Sequence, residues 1–159
     1  MDSFKSLARQ HREILDLAAK IKRMCADAPL TADYGSSLWE TTLKKLRNSL
    51  VVLIGKLKIH ILIEDNYLYP LLFSATEPEV KILAVNYSSE MEAFKPMLEG
   101  FAATKLEPDS IRNAPPQFIH ETLQIIDALE QRIETENQNL YGLFLSEPEK
   151  REIRFAKAR

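Results

Sequence analysis

Apolar residues recur along this chain at alternating spacings of three and four, the period that lines one face of an α-helix. Phe4, Leu7, His11, Ile14, Ala18, Ile21 and Cys25 form the first such seam. Residues 28–35, Ala-Pro-Leu-Thr-Ala-Asp-Tyr-Gly, then break it with turn-forming types. A second seam of Leu46, Leu50, Leu53, Leu57, His60, Glu64, Leu68 and Leu71 predicts a helix over about 37–73, with Pro70 near its C-terminal end. At 1.5 Å per residue that rod spans about 50 Å. Pro78 opens a third segment, whose face carries Leu83, Tyr87, Met91, Phe94, Leu98 and Phe101 and which should kink at Pro96. Residues 105–113 read as a loop. Pro115-Pro116 opens a fourth segment with the seam Phe118, Thr122, Ile125, Leu129, Arg132, Glu136, Leu140 and Leu143. No strand pattern competes. The expected fold is all-α: an antiparallel up-down-up-down four-helix bundle over residues 1–145, followed by a charged C-terminal tail helix over 146–159.

Composition narrows the function classes. The 159 residues are 45% hydrophobic, enough for one core, and 28% charged with a net charge of only −2. That balance lacks the basic excess a phosphate-binding surface needs, so no nucleic-acid partner is expected. The single cysteine, Cys25, excludes an intramolecular disulfide and any cysteine-built zinc or iron–sulfur cage, and reads as a small buried hydrophobe. The N-terminus is charged from the start, and no stretch approaches the ~18 uncharged apolar residues of a membrane span. A soluble cytoplasmic protein with no membrane partner is expected.

The candidate chemistry lies where the seams are not apolar. His11 sits mid-stripe in the first helix. His60 and Glu64 stand four apart in the second, Arg132 and Glu136 four apart in the fourth, so each pair projects from one face in adjacent turns. Buried charge and imidazole cost several kcal/mol unless paired or metal-bound, and two nearby carboxylates repel. Something cationic must therefore neutralise Glu64 and Glu136: a metal ion, Arg132 or a protonated histidine. Read singly, an inward histidine is a hydrogen-bonded core residue and an Arg–Glu pair is a salt bridge. Together they put polar groups from three helices on one set of stripes. His120 lies about 18 Å along the helix from Arg132, too far to join them.

The segment His60-Ile61-Leu62-Ile63-Glu64-Asp65-Asn66-Tyr67-Leu68-Tyr69-Pro70-Leu71 resembles the HxxxE(E/D)xxLYPL helix of the hemerythrin-like (HHE cation-binding) domains. His11, in Gln10-His11-Arg12-Glu13, matches that family's first-helix histidine, and the segment from Arg132 to Tyr141 echoes its second HxxxE-xxxLF element. The resemblance covers roughly residues 4–145 and implies a bundle whose core holds a di-iron centre. Carried over, His11, His60, Glu64 and Glu136 fall on metal-ligand positions. Two positions depart: Arg132 replaces the fourth-helix histidine, and the third helix has no histidine, with Met91 as the counterpart and Tyr87 one turn before it. The departures fall on one metal. A guanidinium stays protonated and cannot coordinate, and a thioether is a poor ligand for ferric iron.

A complete di-iron centre is therefore not expected, nor is reversible dioxygen carriage, which relies on two irons in the family. The resemblance implies at most one ion, iron first and manganese or zinc otherwise, in a protein that senses or binds iron or a small diatomic ligand. The alternative is a metal-free structural or regulatory module with a protein partner, in which the Arg132 fork replaces a metal and bridges Glu64 and Glu136. A mononuclear enzyme of oxygen or peroxide chemistry ranks behind both, since no separate acid–base constellation is present.

Overall fold

Among the residues that the computed structural model describes, 2–28 and 36–144, no strand occurs and helices account for nearly all of the chain. They are α1 (Asp2–Asp27), α2 (Ser37–Ile63), a π-helical turn (Glu64–Leu68), α3 (Tyr69–Phe73), α4 (Pro78–Thr104), α5 (Pro108–Asn113), α6 (Pro115–Asn139) and a 3₁₀ turn (Tyr141–Leu143). The predicted break at 28–35 and tail at 146–159 lie largely or wholly outside the described residues. None of these helices is long and apolar enough to cross a membrane.

Cross-helix contacts fix the topology. Along α1, Gln10, Glu13 and Met24 meet His60, Lys56 and Ser49 in descending order on α2. His11 and Lys22 likewise meet Asn137 and Glu130 on α6. Glu90 and Phe101 of α4 face Arg132 and Phe118 of α6. Asp65 pairs with Lys95, while Arg47, earlier in α2, reaches the Leu106 carbonyl just past the end of α4. Neighbouring long helices therefore run antiparallel, which is the expected up-down-up-down bundle.

Local chemistry accounts for the boundaries. Ser36 caps α2, its hydroxyl accepting from the Trp39 amide at 3.2 Å. Pro78, Pro108 and Pro115 each open a helix, where a missing N–H costs nothing. The segment at 105–113 is a loop only in part, because Pro108 starts the short helix α5 at a position that already had a helix-opening residue. Helix α4 carries Pro96 in its interior and continues to Thr104.

The predicted single helix over 37–73 is interrupted at the place that matters most. Pro70 lacks an amide, and the chain widens into a π turn just before it, the Tyr69 amide reaching back to the Glu64 carbonyl. The widened turn adds a residue to the helical register. The inward position that the seam assigned to Leu71 passes to Leu72, which is buried, while Leu71 is 57% exposed. Leu143 is also turned out, at 56% exposure, because α6 ends at Asn139 and the 3₁₀ turn buries Tyr141 instead.

The core divides in two. The larger part holds Ile14, Ile21, Trp39, Leu46, Leu50, Met91, Phe94, Ile126, Leu129 and Ile133. The smaller part holds Leu7, Ala8, Leu68, Tyr69, Leu72, Ala84, Tyr87, Leu140 and Tyr141. Cys25 belongs to the larger core, where burial pushes its thiol up to about 11 from an ordinary 9.0. At pH 8 the native thiolate fraction should therefore be about 100-fold below that of the unfolded chain, at tenfold per pH unit. Iodoacetamide should label Cys25 quickly only in denaturant, as followed by intact mass; equally fast labelling of the folded protein would contradict its burial.

Candidate metal centre

A layer of polar side chains separates the two cores. On α1, His11 lies between Leu7 of the smaller core and Ile14 of the larger; on α6, Glu136 lies between Leu140 and Ile133. On the second rod, His60 and Glu64 lie between Leu57 and Leu68. His11, His60, Glu64 and Glu136 are each at most 2% exposed. One ligand-type atom from each falls within 4.8 Å of all the others. The π turn begins at Glu64, so the widened helix brings in a carboxylate one turn after His60 while Leu68 and Leu72 still pack inward.

Both imidazoles are oriented by amides outside the seams. The Nδ1 of His11 lies 2.6 Å from the Asn137 side-chain oxygen, and the Nδ1 of His60 lies 2.9 Å from the Gln10 side-chain oxygen. An amide oxygen only accepts, so each imidazole carries its proton on Nδ1 and turns the Nε2 lone pair into the cluster. The Nε2 atoms of His11 and His60 and the Oε2 of Glu64 are buried with no hydrogen-bond partner. Buried polar atoms are ordinarily satisfied, and here each Nε2 faces a buried carboxylate oxygen, an arrangement that calls for a proton or a cation between them. Nitrogen and oxygen donors with this second set of hydrogen bonds suit a metal cation. The residues present thus could hold a metal ion.

Close approaches complete the cluster. The Nε2 of His60 is 3.2 Å from Glu64 Oε1, and the Nε2 of His11 is 3.4 Å from Glu136 Oε2 and 3.9 Å from Glu64 Oε1. The Tyr141 hydroxyl donates to Glu64 Oε1 at 2.5 Å, and its ring stacks on His11 at 4.6 Å. Burial would by itself raise the Glu64 carboxyl, but pairing with His60, the field of His11 and the Tyr141 bond outweigh it and hold Glu64 below the usual 4.5. Burial would likewise lower His11, but Glu136, Glu64 and Asn137 together raise it above the usual 6.5.

These two shifts set opposite limits on the metal-free protein. Glu64 contributes stability that is complete above pH 4.5 and is lost as pH falls through its lowered value. His11 contributes stability that is complete below pH 6.5 and is lost as pH rises through its raised value. The urea midpoint of chelator-treated protein should therefore peak between about pH 4.5 and 6.5. An ion must displace the His11 proton, so zinc affinity should climb with pH until the raised His11 value is passed, by up to about tenfold per unit. A pH-independent affinity would contradict the role of His11.

Arg132 does not bridge the carboxylates as the sequence suggested. One nitrogen makes a 2.6 Å ion pair with Glu136 Oε1, donates to the Tyr87 carbonyl at 2.8 Å and approaches the Tyr69 hydroxyl at 3.4 Å. The other terminal nitrogen turns outward to Glu90 at 3.3 Å. Glu64 receives Tyr141 in its place. The reach of α4 explains the difference: its polar contributions at this level are the Tyr87 carbonyl and the rim carboxylate of Glu90, and both draw the guanidinium toward α4. Tyr87 itself points away from the cluster. Its hydroxyl donates to the Thr135 carbonyl at 3.3 Å and accepts from Asn139 at 3.1 Å, while the Arg132 guanidinium lies 5.6 Å over its ring. Met91 is packed in the larger core, and His120 is exposed.

Four residues of the centre, Gln10, Asn137, Tyr69 and Tyr141, were not picked out by the sequence reading. The amides each precede or follow a seam residue, too near the stripe edge for periodicity to flag. The tyrosines had a signal: Glu64 and Glu136 each open a Glu-x3-Leu-Tyr run.

The fold and site define a class, an antiparallel helical bundle with a buried two-histidine, two-carboxylate cluster able to hold a cation. The model of the hemerythrin HHE cation-binding domain matches residues 2–144, and the chain belongs to that family. Comparison with curated proteins and with solved structures gives no significant match.

Proposed function

We propose that this chain is a one-metal hemerythrin-family protein in which His11, His60, Glu64 and Glu136 hold a single divalent ion, iron first and manganese or zinc otherwise. The observation that carries this reading is the convergence of four buried ligand-type atoms within 4.8 Å of one another, with both Nδ1 atoms already tied to amides. Gln10 and Asn137 set the tautomers, and the two apolar cores on either side exclude bulk water. Arg132 supplies a fixed positive charge beside Glu136 on the side where the family places its second metal. When bound, an iron ion supplies Lewis acidity, one-electron chemistry and affinity for small diatomic ligands. The role that follows is sensing or binding of iron or such a ligand.

One observation favours a second reading, a metal-free regulatory module with a protein partner. Arg132 cancels one of the two carboxylate charges, and a proton on the raised His11 would cancel the other. Protein expressed in iron- and manganese-supplemented medium should carry about one equivalent of metal. Near-zero metal that cannot be loaded afterwards would favour the module, and two equivalents would overturn the account of Arg132.

A further inference from the structure

The repeated Glu-x3-Leu-Tyr run places a tyrosine five residues after each carboxylate, and each reaches the opposite half of the cluster. Tyr69, which follows Glu64, meets Arg132, the partner of Glu136. Tyr141, which follows Glu136, donates to Glu64 at 2.5 Å, within the short range of a hydroxyl bound to an ionised carboxylate. Its ring has no slack: it stacks on His11 at 4.6 Å and meets the edge of Phe4 at 6.2 Å. Glu64 Oε1 therefore accepts from Tyr141 and is also the oxygen that faces both imidazoles, 3.2 Å from His60 Nε2 and 3.9 Å from His11 Nε2.

We propose that Tyr141 is a positioning residue that holds the Glu64 carboxylate so that a single oxygen, Oε1, is turned to the two imidazoles and offered to the ion. The inference rests on the one-metal reading above. Without the hydroxyl, Oε1 is released, and the carboxylate is free to rotate or to present both oxygens. Hydrogen-bonding partners of this kind change metal affinity by about 10–100-fold when lost. Tyr141 is not itself a ligand here, since its proton lies on the bond to Glu64.

The test is a titration of metal-free wild-type and Tyr141→Phe protein with Co(II), followed by visible absorption, whose d–d intensity falls as coordination number rises. Phenylalanine keeps the ring against His11 and removes only the hydroxyl. The expected result is one equivalent in both proteins, an affinity about 10–100-fold lower in the variant, and a weaker d–d band as the released carboxylate turns to present both oxygens. An unchanged band overturns the proposal whatever happens to affinity, because a loss of packing alone would not add a ligand. Wild-type protein that takes up no Co(II) overturns the one-metal reading and this proposal with it; wild-type uptake with an indifferent variant overturns this proposal alone. A measurement on wild-type protein needs no variant to fold. Loaded with Zn(II), it should show a downfield, slowly exchanging tyrosine hydroxyl proton in ¹H NMR, assigned to Tyr141 through contacts to His11. Its absence would also overturn the proposal.

Discussion

His60→Ala should cost the protein its metal, lowering zinc affinity by more than about 100-fold, the upper end of what loss of an outer hydrogen-bonding partner alone does. The substitution removes one of two inward imidazole nitrogens and leaves the Gln10 side-chain oxygen without its donor. It also leaves Glu64 with weaker neutralisation, since His60 is the strongest of the influences that lower that carboxyl. The fold should survive, because His60 sits at the boundary between the two cores and the contacts of Trp39, Leu46 and Leu50 lie further along α2. Trp39 is the sole tryptophan and fully buried, so its emission reports whether the larger core remains closed. His120→Ala is the matched control: the residue is exposed and outside the cluster, and its loss should leave affinity unchanged. Equal losses in both variants, or none in His60→Ala, would remove His60 from the site.

Arg132→Ala should produce the largest loss of stability among single changes at the centre. The side chain is 8% exposed and its partner Glu136 is 1% exposed, so the deletion leaves a buried carboxylate facing Glu64. Breaking one partner out of a buried ion pair costs about 3–5 kcal/mol. The guanidinium also satisfies the Tyr87 carbonyl and approaches Tyr69, so those acceptors lose a donor as well. Urea unfolding of metal-free protein should show the full loss. Saturating zinc should recover a substantial part of it, because an ion neutralises Glu136 in the folded state only. A loss below about 1 kcal/mol, the value of an exposed pair, would mean that Arg132 contributes no more than a surface salt bridge.

These two residues also show how far the sequence could be read. His11, His60, Glu64 and Glu136 were legible because each occupies an inward position of an otherwise apolar stripe, and helical periodicity converts that spacing directly into a shared face. The same logic placed Arg132 inward but could not choose its partners. A long side chain at the edge of a stripe goes where acceptors from other helices draw it, and the Tyr87 carbonyl and Glu90 are visible only once α4 is docked. Periodicity also assumes one constant register. It assigned Leu71 inward because nothing in an apolar count signals a π turn, although Pro70 supplied the reason for one. Gln10 and Asn137 escaped because the residues that orient a ligand need only be near it in space.

The most direct test of the account is an anomalous difference map from a crystal of the protein loaded with Fe(II) under anaerobic conditions. A single peak is expected, bounded by the Nε2 atoms of His11 and His60 and the carboxylates of Glu64 and Glu136, with the Arg132 guanidinium still paired to Glu136. A second peak in the place of that guanidinium, or no peak among these four side chains, would contradict it.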